Sequence, residues 1–118
     1  MPSMPKDPVR VAVARTGGFA GVMDTITVDT DGSWTHPTGV TTSGRLDGWL
    51  FVKLQQLTKD QRLRAEAQVT APPTTCRDAF DYVVTAGDAT VRYTDCPGDT
   101  FQPAVAKQIA DLLEDAVS

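Results

Sequence analysis

The side chains able to do covalent or metal chemistry are few in this sequence. There is a single histidine, His36, and there are two cysteines, Cys76 and Cys96. One histidine leaves no room for a histidine-based metal site; the cysteine spacing is not CxxC and His36 is far away in sequence, so a structural zinc site, which needs four ligands, is not expected. A serine triad would have to draw on Ser33 or Ser43 with His36, but neither serine sits in a strand–turn–helix nucleophile elbow. A Cys76–His36 or Cys96–His36 dyad is the remaining nucleophilic option, with no local sequence support. Asp29, Asp31 and Gly32 resemble the start of a calcium loop, but Val40 stands where the loop needs a glutamate. His36 precedes Pro37 in loop-type sequence and is expected to be a solvated loop histidine. The sequence therefore predicts no catalytic residue, no metal site and no cofactor, and favours binding over catalysis.

The most distinctive short stretch is instead "ARTGGFAGVM", residues 14–23, which puts Gly17, Gly18 and Gly21 around Phe19 and Ala20. It is neither GxGxxG nor GxxxxGK[ST], and a strand rather than a helix follows it, which argues against a phosphate cradle. Three glycines exceed what a tight hairpin turn needs. Either they satisfy the turn while Phe19 folds inward as a core plug, or they present Phe19 to a partner.

The surrounding elements follow from hydrophobic periodicity. Val9, Val11 and Val13 alternate with Arg10, Ala12 and Ala14, and Ile26 and Val28 alternate within "DTITVD", so strands flank the glycine loop on both sides. "DTDG" is a turn, with Gly32 suited to positive φ, and "SWTH" is a third short strand ended by Pro37. Leu46, Trp49, Leu50, Leu54 and Leu57 lie on one helical stripe, with Ser43 as the candidate cap. "TKDQRLRAEAQ" is either a second short helix or a solvated connection, and "APPTT" ends it. "AFDYVVTAGDATVRY" reads as a hairpin. A two-residue turn at Gly87–Asp88 sets Val84 opposite Val91 and Tyr82 opposite Tyr93. That register leaves Cys76 and Cys96 three residues out of opposition, so the thiols are expected to be free unless Cys76 curls back. A last helix from about Pro103 to Val117 carries Val105, Ile109, Leu112, Leu113 and Ala116 on its apolar stripe.

The order β-β-(β)-α-β-β-α predicts an α+β fold: an antiparallel or mixed sheet of about four strands with two helices on one face. Residues 1–8 read as a flexible N-terminal arm and 9–118 as a single domain. A net charge of −4 argues against nucleic acid as a partner. No apolar run approaches a membrane span, and the start "MPSMPKDP" has no apolar signal region. A cytoplasmic protein, monomeric when free and not associated with membrane, is the expectation.

Arg15-Thr16-Gly17-Gly18-Phe19-Ala20-Gly21 resembles the R-[ST]-GGFAG signature of the protealysin-inhibitor family, the emfourins. The "FDYVVTAGDATVRY" hairpin and the final "P-x-V-x-x-x-I-x-x-L-L" helix also look like the family. The resemblance covers residues 9–29 and 79–117; "SWTHPTGVTTSG" and the cysteine pair are not part of the pattern. It implies a small bacterial protein that inhibits thermolysin-like zinc metallopeptidases, is not an enzyme and carries no cofactor. It points to Arg15, Thr16, Gly17, Gly18, Phe19, Ala20 and Gly21 as the partner-binding loop. The alternatives are a non-inhibitory protein–protein interaction module and a hydrolase built on one of the cysteines.

Overall fold

A computed structural model describes residues 7–18 and 21–117. Strands β1 (Val11–Gly17), β2 (Val22–Val28), β3 (Ser33–Thr35) and β4 (Ser43–Arg45) are followed by helices α1 (Gly48–Thr58) and α2 (Gln61–Ala67). Strands β5 (Phe80–Ala86) and β6 (Ala89–Thr94) and helix α3 (Ala104–Val117) complete the described chain. The strands form one sheet in the order β4-β3-β2-β1-β5-β6, and every neighbouring pair is antiparallel. The α+β class is as expected. The count is not: there are six strands and three helices rather than about four and two. The extra strand, β4, is three exposed residues, Ser-Gly-Arg, with no apolar alternation. It pairs because Gly44 lets its backbone lie on the Trp34 indole, where a Cβ would come within 2.7 Å of the ring. The extra helix, α2, begins at Asp60, whose carboxylate accepts from the Arg62 N–H at 2.9 Å, and it buries Leu63.

Period-2 alternation puts the core on one face of the sheet. Val11 and Val13 of β1 lie between Val28 and Ile26 of β2 and Ala86 and Val84 of β5, with Val91 of β6 beyond. All seven are buried, together with Leu54, Leu63, Ile109 and Leu113 from the helices. The β5–β6 hairpin has the expected register, Tyr82 opposite Tyr93 and Val84 opposite Val91, and the two tyrosine rings stack with centroids 5.1 Å apart. On α3 the inward residues are Val105, Ala106, Ile109, Ala110, Leu113 and Val117; Leu112 and Ala116 sit at its margin, partly buried.

Helix α1 keeps Leu54 of its expected stripe in the core, with Leu57 packed against it and Leu46 buried just before the helix, but its inward face is shifted from the expected one. Phe51, Leu54, Gln55 and Thr58 face inward, an i, i+3, i+4, i+7 stripe, while Trp49 is 60% exposed. Phe51 packs beneath Gly32, whose close approach a Cβ at 3.6 Å from the ring would just permit. Gln55 is buried because it acts as a backbone partner: its Oε1 accepts from the Val9 N–H at 2.9 Å and its Nε2 donates to the Val9 carbonyl at 2.8 Å. The expected cap Ser43 is instead in β4, and Asp47 precedes the helix without a side-chain cap bond. The expected arm, residues 1–8, falls mostly outside the described residues; at Asp7 the carbonyl accepts from Lys59 Nζ at 2.9 Å.

The orphan N–H groups at the start of α3 are satisfied from another helix. The Glu66 carboxylate of α2 accepts from Val105 N–H at 3.0 Å and Ala106 N–H at 2.9 Å, placing negative charge at the positive end of the helix dipole. Glu66→Ala is expected to lower unfolding free energy by about 1–2 kcal/mol, measured by urea denaturation. An unchanged midpoint would show that the two bonds contribute nothing net.

Candidate functional site

The central hairpin ends in the glycine loop. Gly17 closes β1, opposite both Val22 and Phe80, and has φ 97°; Gly18 and Gly21 have φ 73° and 65°. The three glycines do different work. A Cβ on Gly17 would stand 3.1 Å from the Ala79 carbonyl oxygen, and one on Gly18 would lie 2.7 Å from Phe80 Cε1. Gly18 N–H donates to the same Ala79 carbonyl at 3.2 Å. Gly17 and Gly18 therefore let the backbone at these two residues lie close against the start of β5. A Cβ on Gly21 would meet nothing within 4 Å, so that glycine serves backbone conformation alone. Its N–H donates to the Gly18 carbonyl at 3.3 Å, closing the loop. Phe19 and Ala20 lie outside the described residues.

Of the other expected loop residues, Arg15 and Thr16 point to opposite faces of the sheet. Thr16 lines a cleft of about 400 Å³ with Pro72, Pro73, Asp81 and Arg92. Arg15 is held: its guanidinium lies 3.5 Å from the Asp24 carboxylate and 4.6 Å from the Phe80 ring centroid. It anchors the base of the loop, and the contacts run Asp24, Arg15, Phe80, Gly18.

Asp24 gathers a second set of groups. His36 Nε2 is 2.7 Å from Asp24 Oδ1, and the Thr38 hydroxyl donates to the same oxygen. His36 is thus not the solvated residue expected from its neighbours; its side chain is 14% exposed. A signal for this existed. Asp24 shares the alternation of Ile26 and Val28, so it had to point toward the core side and find partners there. Burial pushes the Asp24 pKa up, but hydrogen bonds from Thr38 and His36, with the positive charges of His36 and Arg15, outweigh it and hold the carboxyl below its ordinary value. On the far side of Arg15, burial and a hydrogen bond to Glu114 push Tyr82 up to about 12, so its hydroxyl stays protonated and donates. The depressed Asp24 pKa has a definite sign for stability. The carboxylate contributes stability above its unfolded value, near 3.8, and loses it as pH falls through the lower folded value. Asp24→Asn should therefore melt below the parent at pH 7, and the gap should close toward pH 2. A gap independent of pH would contradict this assignment.

The pocket around the Asp24–His36 pair is lined by Arg15, Ile26, Glu114 and Val117. The thiols are not free as expected: Cys76 and Cys96 form a disulfide, with Cα atoms 5.9 Å apart. The chain reverses at Asp78, φ 55°, a left-handed conformation that aspartate tolerates. That reversal supplies the curl that hairpin register alone does not. Asp99 reinforces it by accepting from Thr75 N–H at 3.0 Å and Thr75 Oγ1 at 2.9 Å. Bonded to each other, neither sulfur is present as a thiolate. Among the described residues no group of three or more His, Cys, Asp or Glu could hold a metal ion, and no helix is long and apolar enough to cross a membrane. No protein-family model matches the chain, and no curated protein matches it.

Proposed function

We propose that this chain is a proteinaceous inhibitor of thermolysin-like zinc metallopeptidases that docks through the loop Arg15–Gly21. One observation carries the reading beyond the resemblance of the loop sequence. The described ends of the loop are held, with Gly17 and Gly18 backed onto Ala79 and Phe80 and Arg15 tied to Asp24 at its base. Held ends lower the ordering cost of docking, which is how inhibitor loops gain affinity. The apolar pocket of such a peptidase is the complement of an aromatic anchor.

The disulfide bears on location. Structural disulfides persist in oxidising compartments and are rare in the cytoplasm of mesophiles, so the proposal favours an oxidising setting over the cytoplasmic one expected from the sequence. The function is tested by titrating the purified protein against thermolysin. Stoichiometric loss of peptidase activity and co-elution of the two proteins are expected. Full activity at micromolar excess with no co-elution would remove the proposal.

A further inference from the structure

We infer that His36 is a positioning residue for the loop Arg15–Gly21, acting on it through Asp24 and Arg15. Strand register lines up one row across four strands. Asp24 of β2 lies opposite Arg15 of β1, Arg15 opposite Tyr82 of β5, and Tyr82 opposite Tyr93 of β6. Arg15 stands two residues before Gly17 in the same strand. His36, from the connection between β3 and β4, joins this row at its Asp24 end. The Asp24 carboxylate divides its oxygens. Oδ1 accepts from His36 Nε2 at 2.7 Å and from the Thr38 hydroxyl, and Oδ2 faces Arg15 at 3.5 Å. The carboxylate that ties down Arg15 is therefore itself oriented by His36.

The imidazole is fixed in its turn. A Cβ on Gly39 would collide with Nδ1, which is buried and has no hydrogen-bond partner among the described residues. The neutral ring thus carries its proton on Nε2 and donates it to Asp24. A second proton would sit on Nδ1 with no acceptor and would make His36 a cation. The charged groups around it are Asp24 of β2, Arg15 of β1 and Glu114 of α3, with Tyr82 of β5 bonded to both Glu114 and Arg15. Two cations would then share the Asp24 carboxylate, and His36 already holds the shorter bond. Arg15 would lose its tie, and with it the place over the Phe80 ring that lies against Gly18. The loop is set when His36 is neutral and loosened when it is charged. That docking follows this geometry rests on the function proposed above.

The test has two arms. In the free protein, the amide resonances of Gly17 and Gly18 are followed by NMR from about pH 8 to about pH 5, beside the imidazole resonances of His36, the one histidine in the chain. The amides are expected to move with the imidazole midpoint. His36→Gln keeps a donor toward Asp24 but cannot titrate, so it should abolish the step. Amides that ignore the imidazole, or a step that survives in His36→Gln, overturn the inference. In the second arm, affinity for thermolysin is measured by calorimetry over the same range for the parent and His36→Gln, so that the enzyme's own titrations cancel in the comparison. Parent affinity is expected to fall roughly 5- to 10-fold toward low pH relative to His36→Gln, the size of a modest coupling between sites. Binding with equal pH profiles overturns the inference. A parent that shows the loop step but never binds thermolysin removes the peptidase reading and leaves His36 as the residue that sets the loop.

Discussion

Phe19→Ala is expected to weaken inhibition of a thermolysin-like peptidase by roughly 30- to 1,000-fold while leaving the melting temperature nearly unchanged. The competing role, an inward plug, would reverse the pattern, with about 3–5 kcal/mol of stability lost and normal binding by the folded fraction. The binding role is favoured because Gly17, Gly18 and Gly21 offer Phe19 no adjacent side chains to pack against. Beneath Gly18, Phe80 packs against the core with Arg15 over its ring. Gly18→Val provides the contrast. Its Cβ would collide with Phe80 and its φ of 73° is strained for a branched residue, so about 1–3 kcal/mol of stability should go along with inhibition. A Phe19→Ala protein that melts far lower yet inhibits normally would show that the ring belongs to the core.

Reduction of the Cys76–Cys96 bond should lower stability by about 3 kcal/mol, the loop-closure value for a separation near 20 residues. In a chain of this length that corresponds to a fall in Tm of roughly 10–15 °C. Cys76→Ser/Cys96→Ser should reproduce it without reductant. Inhibition by the folded double variant should stay within a few fold, because Gly17 and Gly18 rest on Ala79 and Phe80 directly, and the Thr75–Asp99 bonds also hold the segment. A Tm insensitive to reductant would mean that the bond constrains little in the unfolded chain. A folded double variant that no longer inhibits would instead make the bond part of the docking element.

The elements legible in the sequence are those whose own residues determine their pairing. The Gly87–Asp88 turn allows one register, and the tyrosines follow from it. Helix α3 has one dominant apolar stripe and nothing to compete with it. The orientation of α1 was not legible because two stripes share Leu54, and the choice between Phe51 and Trp49 depends on what lies opposite. Gln55 is polar and gives no core signal; only the Val9 backbone explains its burial. Strand β4 has no pattern at all and exists through Gly44 and Trp34. At the candidate site the glycines were visible as a cluster, whereas their division of labour depends on residues 79–80, far along the chain. The Asp24–His36 pair required joining a strand face to a loop, and the disulfide required a backbone reversal at Asp78 that no spacing rule supplies.

Strand β1 lies in the middle of the sheet, paired with β2 on one side and β5 on the other. On the ribosome these two neighbours do not arrive together. At roughly 5–20 residues per second, several seconds of synthesis separate Gly17 from Phe80. During that interval the nascent β1–β2 ribbon has an unpaired edge and shows Val11, Val13, Ile26 and Val28 to water. A lone two-stranded ribbon is marginal at best, and an open apolar edge invites pairing with another chain. Nor can the loop take its shape at this stage, because the surface that Gly17 and Gly18 rest on, Ala79 and Phe80, has not yet been made. A chain stalled or cleaved before β5 therefore carries the whole glycine signature and none of its geometry.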